Sequence, residues 1–521
     1  MSKSRKLILF ILLFAVIAAG MTLEFSKRMT ASVAITAAEH DPNAVFSGGI
    51  ARYPGAGTYA WVIFLLSLAA VGAMAFLVLR SGWRAEKLFL VMAIPLGLIY
   101  VFMMVPLSIP DEQVHYQTAY QLSSILSFRP GMGMAEHLDY TGLGGHYNLT
   151  SGYDRVMRDL FASQSGAGEV PVNLHYTLTY PVMYLPQALG LAVGRLLGGN
   201  FVRIFLLGRI FNFLFYILCV YWAIRLAPKY KTLFMMIGMM PMAIHQAASF
   251  SYDAFNIGGA LLLFAMVFRA AAGKEKITIR EFAMIALTGI LLIPAKPTNY
   301  PLLLVYLLIP AARFRNLKQK WLWLIGAWVL TLAVVLLIQR GGISSVAASD
   351  SGTNWEGAQN YSISFALSHP METVRIYVNT VRRYGSELFY QVFGSVMAGQ
   401  TMPLPGKYIK VYLLLLILCV LRRENDNRRV DWGEKAVLLG SSGLTVFLTM
   451  TTMFLAWTSI GKETIQGLQG RYFIPCLPLA LIFLDNDVIR LHRDTEKFVL
   501  VTGLVMQMGI IMEVLCKTML I

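Results

Sequence analysis

The fold class this sequence predicts is an all-α polytopic membrane protein, and three observations carry the prediction. Only 14% of its 521 residues are charged while 57% are hydrophobic, and the mean hydropathy is +0.60; soluble domains are about 25% charged. Several apolar runs reach the ~20 residues that a helix needs to cross a bilayer. The formal net charge of +16 is spread over short segments between those runs. That is the distribution of a positive-inside membrane protein, not of a nucleic-acid binder. Cys219, Cys419, Cys476 and Cys516 all lie inside apolar runs and read as small core residues rather than a disulfide or metal set.

Taken in order, the chain starts with a basic segment to Lys6 and an apolar run over 7–23. This run reads either as a signal peptide, because 15–20 is rich in small residues, or as an uncleaved first span, which suits the topology better. A polar loop over 24–57 leads to a span at 58–79. Arg80, Arg84 and Lys87 then mark the inner side, and the third span covers 88–107. Residues 107–202 form a long outer loop. Within it, 176–198 is apolar but carries Pro181, Pro186 and Arg195. If it crossed, every later basic loop would land on the wrong side, so it is predicted to lie flat as an interfacial helix.

Spans follow at 203–226, 231–248 and 253–272. Two short apolar arms over 282–311 flank the proline-rich stretch Pro294 to Pro301, predicting a helical hairpin with Lys296 at its tip. A span at 321–339, a second outer loop at 340–405, and spans at 406–421, 436–457, 472–489 and beyond 497 complete the chain. The expectation is about thirteen spans with the N-terminus cytoplasmic and more than half of the 44 Lys and Arg on that side. Two helices with an external loop (1–87), a core (88–490) and a last helix (491–521) make up the expected organisation.

The unusual chemistry gathers on the outer side. Ile109-Pro110-Asp111-Glu112-Gln113-Val114-His115 directly follows the third span. Ionisable groups at a membrane boundary are costly unless paired, hydrated or used. Asp111 and Glu112 read either as an acidic helix cap or as chemical groups whose face His115 shares one turn on. His137, His146 and His175, with Asp139 and Asp154, show no recognised ligand spacing. Asn148-Leu149-Thr150 matches the glycosylation triplet weakly. Arg471 either grips an anion with its fork or anchors the interface, and Lys296 either meets an anion or snorkels. Asp253 reads as a helix cap and His245 as a core histidine.

Five stretches together resemble a known family: Pro110-Asp-Glu-x-x-His115, Tyr180-Pro181 through Tyr184-Leu-Pro186, Arg209-x-x-Asn212, Ser251-Tyr-Asp253, and Gln466-Gly-Leu-Gln-Gly-Arg-Tyr-Phe-Ile-Pro475. The family is a bacterial membrane-protein family, domain of unknown function 2142, and the resemblance runs from about residue 90 to 490. That family is similar to the GT-C superfamily of polytopic glycosyltransferases. In those enzymes a span leads into an outer loop that begins with an acidic residue and closes with a Pro-containing interfacial helix. Gly394-Ser-Val-Met-Ala398 departs from the Gly-x-Leu-Gly-Trp element often found in the second loop.

The resemblance implies a GT-C-like fold and an inverting glycosyltransferase in the bacterial plasma membrane, with its site external. It would use a polyprenyl-phosphate sugar donor and a cell-envelope glycan, teichoic acid or lipid acceptor. A positioned carboxylate is the usual base for deprotonating an acceptor hydroxyl. Asp111 takes that role, with Glu112 orienting it or helping to bind a divalent cation near the pair; no other cofactor is expected. His115, Lys296, Arg382, Arg383, Gln469, Arg471 and Tyr472 are the expected substrate contacts. No Gly-x-x-x-x-Gly-Lys-Thr cradle is present, which favours a lipid-linked donor over a nucleotide sugar. The alternatives are a flippase, which would call for internal repeats, and a noncatalytic lipid-linked-sugar binding subunit.

Overall fold

A computed structural model describes residues 3–40, 54–128, 132–134, 149–162, 169–171, 180–348, 357–423, 430–486, 488–492 and 495–519. His137, Asp139, His146, Asn148 and His175 lie outside the described residues. The chain opens with α1 (Lys3–His40), α2 (Pro54–Arg80) and α3 (Ala85–Met103), then α4 (Glu112–Leu126) and α5 (Leu149–Phe161). After a 3₁₀ turn at Pro181–Tyr184 come α6 (Leu185–Leu196), α7 (Phe201–Leu226), α8 (Lys231–Gly238), α9 (Pro241–Ala247), α10 (Asp253–Ala272) and α11 (Ile279–Leu292). A 3₁₀ run at Pro297–Leu308 precedes α12 (Leu317–Ala348), α13 (Ile363–Ser368), α14 (Pro370–Phe393), α15 (Gly406–Val420) and α16 (Trp432–Trp457). The 3₁₀ turn Gly470–Phe473, α17 (Leu477–Ile482) and α18 (Thr495–Thr518) follow.

Among the described residues, strands are confined to three short pairs: β1 (Met132–Met134) with β2 (Glu169–Pro171), β3 (Val396–Met397) with β4 (Met402–Pro403), and β5 (Arg422–Arg423) with β6 (Arg490–Leu491). Among the described residues, α2, α3, α7, α10, α12, α16 and α18 are long and apolar enough to cross a membrane. The protein is therefore an all-α, multi-pass membrane protein.

Several expected spans take a different shape. The run 231–248 is broken before Pro241 into α8 and α9, because a proline removes a helix hydrogen bond and clashes with the preceding turn. Every residue of these two helices after Lys231 is buried, which is where broken helices are tolerated at membrane depth. The run 472–489 is a 3₁₀ turn and the six-residue α17. The 282–311 hairpin has one α-helical arm and one 3₁₀ arm. Of the predicted interfacial segment, the described residues form the 3₁₀ turn Pro181–Tyr184 and the 12-residue α6, and α6 is not among the helices long and apolar enough to cross a membrane.

α7 is the central pillar. Its 26 residues span roughly 39 Å, and α3, α6 and α10 pack against it. At the far end of the molecule Asp485 ties three segments together: Lys229 Nζ lies 2.7 Å from Oδ2, Arg422 Nε lies 3.0 Å from Oδ1, and Tyr230 donates its hydroxyl.

Candidate functional site

Two residues one turn apart on α7 hold the two turns that carry the site's carboxylates. Arg209 is fully buried. It donates to the carbonyls of Val101 and Met104, acceptors that the end of α3 leaves without helical partners, and to that of Val105 just beyond. Its Nε and Nη2 also grip Glu112 at 2.8 and 2.6 Å, and Phe250 N–H donates to the same carboxylate at 3.2 Å. Asn212 donates to Ser249 O at 2.7 Å and Ser251 O at 3.1 Å. One face of α7 thus fixes both the turn that ends in Asp111 and the turn that ends in Asp253. Ser251 Oγ accepts from Asp253 N–H at 3.1 Å, so Ser251 supplies the cap expected of Asp253 and the Asp253 carboxylate turns elsewhere.

Asp111 stands at the N-cap of α4 in the left-handed region, φ 59°, and its side chain makes no cap bond. Its Oδ2 instead accepts from Arg471 Nη2 at 2.6 Å. The acidic-cap reading is thereby corrected. Arg471 lies on the 3₁₀ turn Gly470–Phe473, which docks on α14. There a Cβ at Gly470 would meet Leu388 O at 2.4 Å, and Gly470 N–H donates to Gln391 Oε1 at 3.0 Å. The Arg471 fork is fully engaged: Nη1 reaches Asp253 Oδ2 and Gln246 Oε1, each at 3.2 Å, and Nε reaches Gln469 Oε1 at 2.6 Å.

Lys296 completes the cluster. Its Nζ lies 4.0 Å from Asp253 Oδ1 and 3.7 Å above the Tyr472 ring, a cation–π contact, and it makes no hydrogen bond among the described residues. The site therefore balances two cations against two carboxylates. The carboxylates differ in access, since the Asp111 side chain is 54% exposed and that of Asp253 5%.

His115 sits one turn beyond Asp111, its Nδ1 2.7 Å from Tyr184 Oη and its ring edge-on to Tyr252. Burial, aided by Arg471 and opposed by Asp111 and Asp253, lowers its pKa to about 4, so the ring is neutral at pH 7. Burial also pushes the Tyr184 phenol up, which keeps it protonated and able to donate to Nδ1. A cavity of about 20 Å³ beside Arg471 is edged by Gln246, Gln391, Gln400 and Gln469.

Residues 158–480 match the family described as a predicted membrane protein, DUF2142. The chain belongs to this family. No curated protein and no solved structure matches it. The matched stretch takes in Tyr184, Arg209, Asp253, Lys296 and Arg471, while Asp111 and His115 precede it.

In this DUF2142 protein, Asp111, Lys296, Gln469, Arg471 and Tyr472 meet as the sequence led us to expect, with His115 alongside. Glu112 does not join them. Both of its oxygens are held by Arg209, because neighbouring residues on a helix point about 100° apart. It is accordingly not placed to share a cation with Asp111, and among the described residues no three His, Cys, Asp or Glu converge as ligands. Arg382 and Arg383 are exposed on α14. Arg383 pairs with Glu463 at 2.6 Å, and among the described residues no hydrogen bond or ion pair joins either arginine to the cluster. His245 is a buried core histidine, bonded to Gln246 and accepting from Ala398 N–H. The reading of single residues missed the scaffold role of Arg209 and the cluster roles of Asp253 and Gln246. The first two stood in visible motifs; Gln246 carried no signal.

Proposed function

We propose that this protein is an inverting GT-C-type glycosyltransferase of the bacterial plasma membrane. It would move a sugar from a polyprenyl-phosphate donor to an envelope glycan, teichoic acid or lipid acceptor on the outer face. The observation that carries the reading is the 2.6 Å contact between a half-exposed carboxylate, Asp111, and the buried fork of Arg471. Guanidinium forks bind phosphate as readily as carboxylate. A donor phosphate arriving at Arg471 and Lys296 would compete with Asp111 for Nη2 and release its carboxylate towards the acceptor. The acceptor oxygen then attacks the anomeric carbon as Asp111 takes its proton. The bond from that carbon to the phosphate oxygen breaks, and polyprenyl phosphate departs against Arg471 and Lys296. Attack opposite the leaving group inverts the centre.

The test is sugar transfer by the purified full chain in nanodiscs, supplied with labelled polyprenyl-phosphate sugars and cell-envelope acceptors. Asp111→Asn should lower transfer roughly 10²–10⁴-fold, the usual share of a general base, while donor binding persists. Undiminished transfer by that variant would remove Asp111 from the reaction. Donor binding without transfer by the wild type, over a broad panel of acceptors, would favour a noncatalytic binding subunit.

A further inference from the structure

A cavity of about 670 Å³ opens at the end of the molecule opposite Arg471. α3 connects the two places: Ala85 at its start lines the cavity, and the carbonyls at its far end are those held by Arg209 beside Asp111. Lys229, Lys231 and Lys497 line the cavity, and among the described residues Glu496 is the one acid of the lining. Glu496 is engaged by Thr232 at 2.6 Å. Lys497 is braced on Leu79 O at 2.9 Å and Lys229 on Asp485 at 2.7 Å, so both ammoniums are fixed at the wall. The first turns of α3, α8 and α18 also border the space. Their dipoles add positive potential, and neither α3 nor α8 has a side-chain cap there. The other wall is apolar, its accessible surface coming from Trp83, Leu88 and Leu421 with Val78 and Leu500 buried behind them. Val78, Leu88 and Leu500 belong to candidate spans α2, α3 and α18, so the cavity lies where headgroups meet acyl chains.

We propose that this cavity binds the phosphate headgroup of an anionic phospholipid, with an acyl chain against Trp83, Leu88 and Leu421. Basic pockets between membrane helices select such headgroups by charge. The apolar wall is what distinguishes a lipid from a soluble phosphate compound. The site is independent of the reaction proposed above.

The experiment uses the full chain in nanodiscs with dibrominated phosphatidylglycerol or dibrominated phosphatidylcholine. Trp83 lines the cavity, so its fluorescence, isolated by difference from Trp83→Phe, reports occupancy. Phosphatidylglycerol should quench Trp83 at lower mole fraction than phosphatidylcholine. Lys231→Gln should weaken that preference roughly fivefold, the weight of one lysine at an anionic surface, and Lys231→Arg should retain it, which also shows that the position tolerates change. Lys274, exposed beyond the end of α10 on the same side, is the control, and Lys274→Gln should leave the preference intact. Equal quenching by both lipids would overturn the proposal. So would an unchanged preference in Lys231→Gln, an equal loss in Lys274→Gln, or displacement of the lipid by millimolar inorganic phosphate, which would mark a soluble-anion site.

Discussion

Asp111 and Glu112 are neighbours that respond to opposite measurements. Glu112→Gln leaves Arg209 buried against a neutral amide, and losing one partner of a buried ion pair costs about 3–5 kcal/mol. Its expected signature is a lower melting temperature in detergent with near-normal donor affinity in the molecules that remain folded. Arg471→Lys keeps a cation but cannot reach Asp111, Asp253, Gln246 and Gln469 together. Charged hydrogen bonds are worth about 1.5–3 kcal/mol each, so donor binding should weaken at least tenfold; wild-type donor affinity would assign Arg471 to anchoring alone. His115 gives a pH test. Its folded pKa of about 4 lies below the ordinary 6.5, so between those values the unfolded chain holds a proton that the folded chain lacks. Stability should fall as pH drops through this window, by at most about 1.4 kcal/mol per unit. His115→Asn should flatten that slope relative to the wild type.

At the scale of elements, α7 works as a jig. Asn212→Ala touches none of the charged groups, yet it frees the carbonyls of Ser249 and Ser251 and loosens the turn that presents Asp253. Hydrogen exchange should rise in 248–252, and donor affinity should fall with it; protection unchanged in that turn would remove α7 from this role. The shapes of elements were only partly legible in the sequence. That 176–198 would not cross was an expectation read from the charge rule, because a crossing there would put every later basic loop on the wrong side. The break between α8 and α9 was also written at Pro241, but a window of summed hydrophobicity runs through a buried break without a dip. The same blindness turned the 3₁₀ turn and α17 into one expected span, although Pro475 and Pro478 interrupt it.

For the whole molecule, the fold class was legible because apolar content adds up along the chain. The site was legible only in part: several of its members stood in motifs, but which side chain pairs with which depends on meetings between distant residues. Asp111 and Arg471 are 360 positions apart, and no local pattern says that the exposed carboxylate of a pair goes to one arginine while its neighbour goes to another. The arrangement of spans makes a prediction at this scale. Single cysteines at Gln113 and Leu196, both exposed, should react with an impermeant thiol reagent from the same side of the membrane, and one at Lys274 from the other. The four native cysteines are buried and form no disulfide among the described residues, and they can be replaced first. Labelling of positions 113 and 196 from opposite sides would mean that α6 crosses.

The left-handed backbone at Asp111 limits how this position can evolve. Only Gly, Asn and Asp occupy that conformation cheaply. The replacements that the backbone accepts are therefore two residues without a carboxylate. Glutamate, the usual substitute that keeps the charge, carries a backbone penalty of roughly 1–2 kcal/mol as well as a longer reach. Asn and Gly suit the backbone but give up the carboxylate that Arg471 holds and that the proposed reaction uses, while Glu keeps the charge and strains the backbone, so no single substitution preserves both and the position should stay Asp in active relatives.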